Sequence, residues 1–199
     1  KIDPILINKI IINGNSITKD KTLRSKLSIS PGDIVNTNKI NDTKRRLNSL
    51  KYVNGVSINN ISISKNTSDI EININENKKT GNFLFGASFS GDTGVGIGFS
   101  IKDYNLLGTG NEIDSSINLN SEKALFKIRY SGQSKRYNSL TNSYTIFNEE
   151  NDLSSSFGYK VKKSGIGYKA NFKLSNKVNT SAGILFEATN GYGAKSNSD

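Results

Sequence analysis

The 199-residue sequence predicts two domains of different construction. Residues 1–79 read as an α+β unit in the order β-α-α-β-β, and residues 80–199 as an all-β antiparallel meander. Three observations carry that division. Of the 9 Phe and 8 Tyr residues, only Tyr52 precedes residue 81. Glycine divides 3 against 15 about the same point, while both prolines, Pro4 and Pro31, lie before it. The net charge of +10 splits into +7 for residues 1–80 and +3 for the rest. The join falls at Lys78-Lys79-Thr80.

In the first part, the apolar run Ile5 to Ile12 closes on Asn13-Gly14-Asn15, a strand entering a turn. Thr18 then precedes Lys19 to Leu27, where Leu23 and Leu27 mark one helical face. Ser30-Pro31-Gly32-Asp33 breaks that helix. Thr37 is the expected cap of a second helix, with Ile40, Leu47 and Leu50 on its buried stripe. Two β runs come next, Gly55 to Ser64 and Asp69 to Asn75, joined by a Lys-Asn-Thr-Ser turn into a hairpin. Three strands cannot close on themselves, so this unit must have an exposed edge able to pair with an extended chain.

In the second part the hydrophobic period is 2 nearly throughout. Phe83, Phe85, Ala87 and Phe89 alternate with smaller partners, and Val95, Ile97, Phe99 and Ile101 alternate with Gly96, Gly98, Ser100 and Lys102. The same pattern recurs at Ile113–Leu119, Ala124–Tyr130, Ile166–Leu174 and Ala182–Ala188. Turn signals fall at Gly91–Gly94, Gly108–Gly110, Asn120–Lys123, Ser131–Asn138, Asn148–Asp152 and Ser175–Asn179. About seven strands of roughly 8–14 residues result, and tilted strands of about 9–11 residues span a bilayer. An apolar, aromatic face against a Lys, Arg, Asn, Ser and Gly face fits a membrane barrel with lipid outside. It fits a soluble sandwich or barrel too, with the apolar face turned inward. Strand length and the aromatics near strand ends (Tyr104, Tyr130, Tyr137, Tyr144, Phe147 and Tyr192) favour the membrane reading, because an interfacial girdle needs them there.

Composition removes many functions. With no His and no Cys, disulfides, zinc-finger sites and thiol- or imidazole-dependent triads are excluded. Glu149 and Glu150 are adjacent, so on a strand they point apart and cannot act as a carboxylate pair. Gly94-x-Gly96-x-Gly98 lacks the Lys and helix start of a phosphate loop. Lys44-Arg45-Arg46 lies on a helix whose other face the core needs, and the most basic part has a single aromatic, which argues against nucleic acid. A solvated helix face explains that charge run. Lys127, Arg129, Lys169 and Lys173 are expected to make one wall cationic. The expectation is no enzyme, no metal and no cofactor. Lys1 with no apolar leader after it reads as a mature or excised piece.

Ile10-x-Ile12-x-Gly14-Asn15, Leu23-Arg24-x-x-Leu27, Pro31-Gly32 and Arg46-Leu47-x-x-Leu50-x-Tyr52-Val53-x-x-Val56 together resemble a polypeptide-transport-associated (POTRA) domain. Thr80-Gly81-Asn82-Phe83-x-Phe85-Gly86 and Asn105-Leu106-Leu107-Gly108-Thr109-Gly110 resemble the opening of the barrel in the BamA family of outer-membrane assembly factors. The resemblance implies a membrane-proximal POTRA domain over 1–79, in the periplasm, and over 80–199 the first seven or so strands of an incomplete transmembrane β-barrel in the bacterial outer membrane. It implies a non-enzymatic assembly and insertion factor whose partners are unfolded outer-membrane proteins, the lipid bilayer and assembly-complex lipoproteins. It also implies that Gly91–Gly94, Asn120–Lys123 and Asn148–Asp152 face outward, and that Asn105–Gly110 and Ser131–Asn138 face the periplasm.

Insertion needs a strand edge to which an incoming chain can bond before it enters hydrocarbon, where bare amides cost several kcal/mol. The expected edge is the first barrel strand, Asn82, Phe83, Leu84, Phe85, Gly86, Ala87, Ser88 and Phe89. A second is the POTRA edge strand, Val56, Ser57, Ile58, Asn59, Asn60, Ile61 and Ser62. Alternatives are a two-partner secretion exporter or TamA-like translocation factor of the same superfamily, and a soluble β-rich domain that binds polyanions. An open seven-stranded sheet alone is not expected to insert clients.

Overall fold

The computed structural model describes residues 3–91, 94–134, 139–175 and 178–193. They form two compact units: residues up to Thr80 together with Tyr104–Gly110, and Gly81–Asp103 together with the residues from Asn111 onward.

The first unit contains β1 (Leu6–Asn13), α1 (Asp20–Arg24), α2 (Thr37–Asn48), β2 (Val53–Ser64) and β3 (Thr67–Glu76). The sheet order is β1-β3-β2, with β1 parallel and β2 antiparallel to the central β3. Strict alternation on β3 explains its place: Ile70, Ile72 and Ile74 all turn inward and are buried with Ile7, Leu23 and Leu47. Burial of such side chains contributes roughly 1.5–3 kcal/mol each.

Two local expectations change. The first helix is one turn and a half, not Lys19 to Leu27, because the Leu27 N–H bonds the Arg24 carbonyl three residues back and tightens the chain into a turn. Leu23 is buried and Leu27 still packs against the core. The cap of α2 is Asn36 and not Thr37. Its Oδ1 accepts the Asn38 and Lys39 N–H groups at 2.8 and 3.3 Å. Extended backbone at Asn36 places its side chain over these donors. On the helix's inner face Thr43 is fully buried beside Leu47, its hydroxyl accepting the Ser28 N–H at 3.0 Å.

The outer side of β1 is partly covered. Gly32 N–H donates to Ile7, Ile7 N–H to Asp33 and Val35 N–H to Ile5. That leaves β2 as the open edge of the sheet among the described residues.

The second unit is a seven-stranded antiparallel meander that is not closed: β4 (Gly81–Ser90), β5 (Gly94–Asp103), β6 (Glu112–Leu119), β7 (Lys123–Gln133), β8 (Leu140–Leu153), β9 (Tyr159–Lys173) and β10 (Asn179–Gly193). Register aligns the apolar positions into rows across it. One row runs Phe83, Ile101, Ser115, Ile128, Ile146, Ile166, Phe186 over all seven strands. The next contains Tyr130, Tyr144 and Tyr168, with the last two rings 5.3 Å apart. This face is bare: Phe83, Phe85 and Phe89 are 74%, 72% and 81% exposed.

Several expectations are corrected here. Asn148–Asp152 is strand, not turn; the chain reverses later, at a single helical turn, α3 (Ser154–Phe157), ended by Gly158 at φ 72°. Cross-strand partners hold these residues in the ladder: Glu149, Glu150 and Asp152 stand opposite Lys163, Lys162 and Lys160, and Asp152 pairs with Lys160. Ser131–Gln133 likewise belongs to β7. Phe147 sits on the polar face and not in a girdle, because Gly165 makes room for it. A Cβ on that glycine would lie 2.5 Å from the Phe147 ring. Tyr104 belongs to the first unit, where it packs against the core with the Lys51 ammonium 4.1 Å from its ring centre. The polar wall is not simply cationic. Lys127, Arg129 and Lys169 share it with Asp114, Glu149 and Glu187, and Asp114 pairs with Arg129 at 2.9 Å and Lys102 at 3.4 Å. Tyr137, residues 92–93 and 135–138, and residues 176–177 lie outside the described residues.

Candidate strand-pairing edges

β4 lies at one end of the sheet order and, among the described residues, pairs only with β5, from Gly81 opposite Asp103 to Ser90 opposite Gly94. All ten of its residues are exposed. Phe83, Phe85, Ala87 and Phe89 align with Ile101, Phe99, Ile97 and Val95 on the apolar face. On the other face Asn82, Leu84, Gly86 and Ser88 meet Lys102, Ser100, Gly98 and Gly96. Gly86 opposite Gly98 offers no side-chain contact at all, so pairing there rests on the backbone ladder alone. The strand is therefore held on one face and thin on the other. β10, at the opposite end of the order, is an equally exposed edge that the sequence pattern does not single out.

β2 begins inside the core and leaves it. Val56 is buried and Ile58 half-buried, while Ser57, Asn59, Asn60, Ile61 and Ser62 are exposed. Ile61 and Ile63, 42% and 56% exposed, add apolar surface beside an open backbone edge. The two candidate edges belong to different units.

The residues that sequence reasoning missed are those that tie Asn105–Gly110 into the first unit. Asn105 is buried. Its Nδ2 donates to the Thr18 hydroxyl at 2.9 Å and its Oδ1 accepts the Gly110 N–H at 2.7 Å. The Gly108 carbonyl accepts the Lys19 N–H at 2.9 Å and the Thr22 hydroxyl at 3.1 Å. Beneath Thr18 lies Glu76 at the end of β3, nearly buried, accepting the Ile17 and Thr18 N–H groups at 2.7 and 2.8 Å and the Ser16 hydroxyl at 3.3 Å. Burial acts to raise the Glu76 pKa. Hydrogen bonds from the Thr18 hydroxyl, the two backbone N–H groups and Ser16 outweigh it, and hold the carboxyl below its ordinary range.

Tyr52 is the weak point of this cluster. Its hydroxyl is buried without a hydrogen-bond partner, and burial, then the Glu76 charge, pushes its pKa up to about 12. An unmade bond at a buried hydroxyl costs about 1–3 kcal/mol. Tyr52→Phe is expected to stabilise the first unit by about 1 kcal/mol, measured as slower exchange of the buried Ile70 and Ile72 amides.

Residues 5–77 match the POTRA family, described as the surface antigen variable number repeat. The outer membrane protein assembly factor BamA of Buchnera aphidicola is 28% identical over 190 residues, 94% of this chain and 27% of the relative. Among solved structures, BamA from Haemophilus ducreyi lacking POTRA domains 1–3 superposes with TM-score 0.79 at 22% identity, covering 96% of this chain and 37% of that one. The chain is similar to these BamA proteins along nearly its whole length. CdiB from Acinetobacter baumannii shares the fold less closely, with TM-score 0.62, 17% identity and 95% of this chain covered. The chain spans about a quarter of the Buchnera relative's length. The relatives it matches are outer membrane protein assembly factors. In membrane barrels an outward apolar face of this kind meets lipid.

Proposed function

We propose that this chain belongs to a factor that assembles and inserts outer-membrane β-barrel proteins by lending strand edges, without chemistry. The observation that carries the reading is β4: a ten-residue edge strand, apolar on one face and thin on the other, at the end of an open sheet. An unfolded client that pairs with Asn82–Phe89 satisfies its backbone before meeting hydrocarbon, avoiding several kcal/mol per bare group. The POTRA edge Val56–Ser62 offers the same pairing in water, with Ile61 and Ile63 adding apolar contact. Clients, bilayer and assembly-complex lipoproteins are the partners this reading requires. A secretion exporter of the same superfamily is the second reading, supported by the weaker likeness to CdiB.

The test is disulfide capture in the full-length parent protein reconstituted in vesicles. Ser88→Cys should cross-link to one position on a client's terminal strand during insertion. Neighbouring cysteines along 82–89 should capture client residues in antiparallel order. Insertion without any cross-link along this strand would sink the templating mechanism, and capture of an exported soluble chain instead would favour the exporter.

A further inference from the structure

The apolar band of the seven-stranded sheet does not follow the sheet's register. On β4 it runs from Phe83 to Phe89, and on β5 over the same four rows, from Ile101 to Val95. Beneath it Gly81 stands opposite Asp103. On β6 and β7 the band is again four rows but sits one row lower, from Leu119 and Ala124 down to Ile113 and Tyr130. On β8 and β9 its top pair is Ile146 with Ile166 and its bottom pair Leu140 with Phe172. Polar side chains interrupt it at Ser115 and at Asn142, whose Oδ1 accepts the Tyr168 hydroxyl at 2.8 Å. β10 keeps within one row of β9, its run ending at Ala182 and Ala188. The Phe83 row is therefore the lowest apolar row on β4 and the highest on β8 and β9. Where β4 carries Phe85 and Ala87, the same rows on β8 and β9 carry Asn148 with Ser164 and Glu150 with Lys162.

Both borders drop by the same three rows between β4 and β9, so the band keeps its height while it slopes. Three rows are six residues, about 20 Å along a strand, and five strand spacings are about 24 Å across. The slope is roughly 40°, the tilt at which strands cross a membrane. At that tilt four rows stand about 20 Å tall, close to the ~25 Å apolar band of outer-membrane barrels. A slab with two parallel faces fits a band of constant height and constant slope. We infer that the partner of this face is a hydrocarbon layer whose two boundaries cut the ladder obliquely. The upper boundary passes above Phe89 on β4 and between Ile166 and Ser164 on β9; the lower passes beneath Phe83 on β4 and beneath Phe172 on β9. The inference rests on the outer-membrane reading proposed above. Residues of one register row consequently differ in depth, by about 15 Å between Phe85 and Ser164. Ala87 lies in oil while Lys162, in its own row, reaches water, where an outward-facing charge carries no desolvation penalty.

The experiment places single cysteines in the full-length parent protein, labels each with a small fluorophore and reconstitutes it in phosphatidylcholine vesicles. Quenching is read with brominated acyl chains from the lipid side and with iodide from the water. Ala87→Cys and Phe172→Cys should be quenched by the brominated chains and shielded from iodide. Lys162→Cys should show the reverse, with iodide quenching roughly fivefold stronger than at Ala87→Cys. Ser164→Cys should lie nearer the water than Ala87→Cys, although it stands one row closer to the Phe83 row. That comparison uses two small substitutions, so it survives if Phe172→Cys does not fold. Equal depths for Ala87→Cys and Lys162→Cys, or a Ser164→Cys label deeper than the Ala87→Cys label, would show boundaries that follow the register and would overturn the oblique crossing. If brominated chains quench none of the four sites in reconstituted protein, the outer-membrane reading itself fails, an outcome distinct from any ordering among the sites.

Discussion

Gly108→Ala is expected to release the Lys19 amide by about 3 kcal/mol, while Gly32→Ala should cost only about 1 kcal/mol. Both glycines hold a left-handed backbone, with φ 71° and 88°. That conformation alone costs an L-residue roughly 1–2 kcal/mol. The difference lies in the surroundings. A Cβ at Gly32 meets open space, whereas at Gly108 it would overlap the Ile17 carbonyl oxygen at 2.2 Å. Ile17 cannot retreat, because its own N–H is held by Glu76 at 2.7 Å. The segment must lift instead, and the Gly108 carbonyl then loses the Lys19 N–H and Thr22 hydroxyl. Two such bonds are worth about 1 kcal/mol each. Hydrogen exchange read at Lys19 for both variants checks the contrast; equal effects at the two glycines would remove the close-approach argument.

Glu76→Ala should destabilise the POTRA unit by about 4 kcal/mol, a large share of a domain's stability. The carboxylate satisfies the Ile17 and Thr18 N–H groups and the Ser16 hydroxyl, and alanine leaves these donors without their acceptor. The Thr18 donor is buried, where a bond left unmade costs about 1–3 kcal/mol, and the two part-buried donors add less each. The pH dependence has a definite sign. Because the folded-state pKa is lowered below the ordinary 4.5, the carboxylate's contribution is complete above that value. It is lost as pH falls through the folded pKa. Opening free energies of the Ile70 and Ile72 amides, corrected for intrinsic exchange, should fall more steeply below pH 4.5 in the unaltered protein than in Glu76→Gln. Parallel curves for the two would show that the ionised form is not what the site stabilises.

The sheets were legible because their patterns are physical necessities. Ile70, Ile72 and Ile74 alternate because one face of a central strand must be buried, and Phe83 to Phe89 alternate because the sheet has one apolar face and one polar face. Where the sequence misled, a residue type answered to a distant partner. Asn148 to Asp152 carry turn-forming side chains, yet lysines on the next strand make them ladder positions. Phe147 follows the aromatic rule for a girdle, yet a glycine opposite receives it on the polar wall. Asn36 outcompetes Thr37 as a cap by one residue of register, within the usual blur of helix ends. The place of residues 105–110 in the first unit was invisible for the same reason. Asn105 and Gly108 carry the look of a turn, and only the fold shows that Thr18 and Glu76, far away in sequence, await them.

The last three strands run 14, 15 and 15 residues, against 8 to 11 for the four before them. At about 3.3 Å per residue and the usual tilt, roughly 11 residues suffice to cross hydrocarbon. The surplus lies where Glu149, Glu150 and Asp152 face Lys163, Lys162 and Lys160. On the proposed membrane-barrel reading, β8 and β9 are amphibious, welded by backbone bonds in oil and buttoned by charge in water. Raising the ionic strength should unbutton the wet end while the oily length stays shut, so fraying there becomes a dial that salt can turn without dissolving the membrane around it.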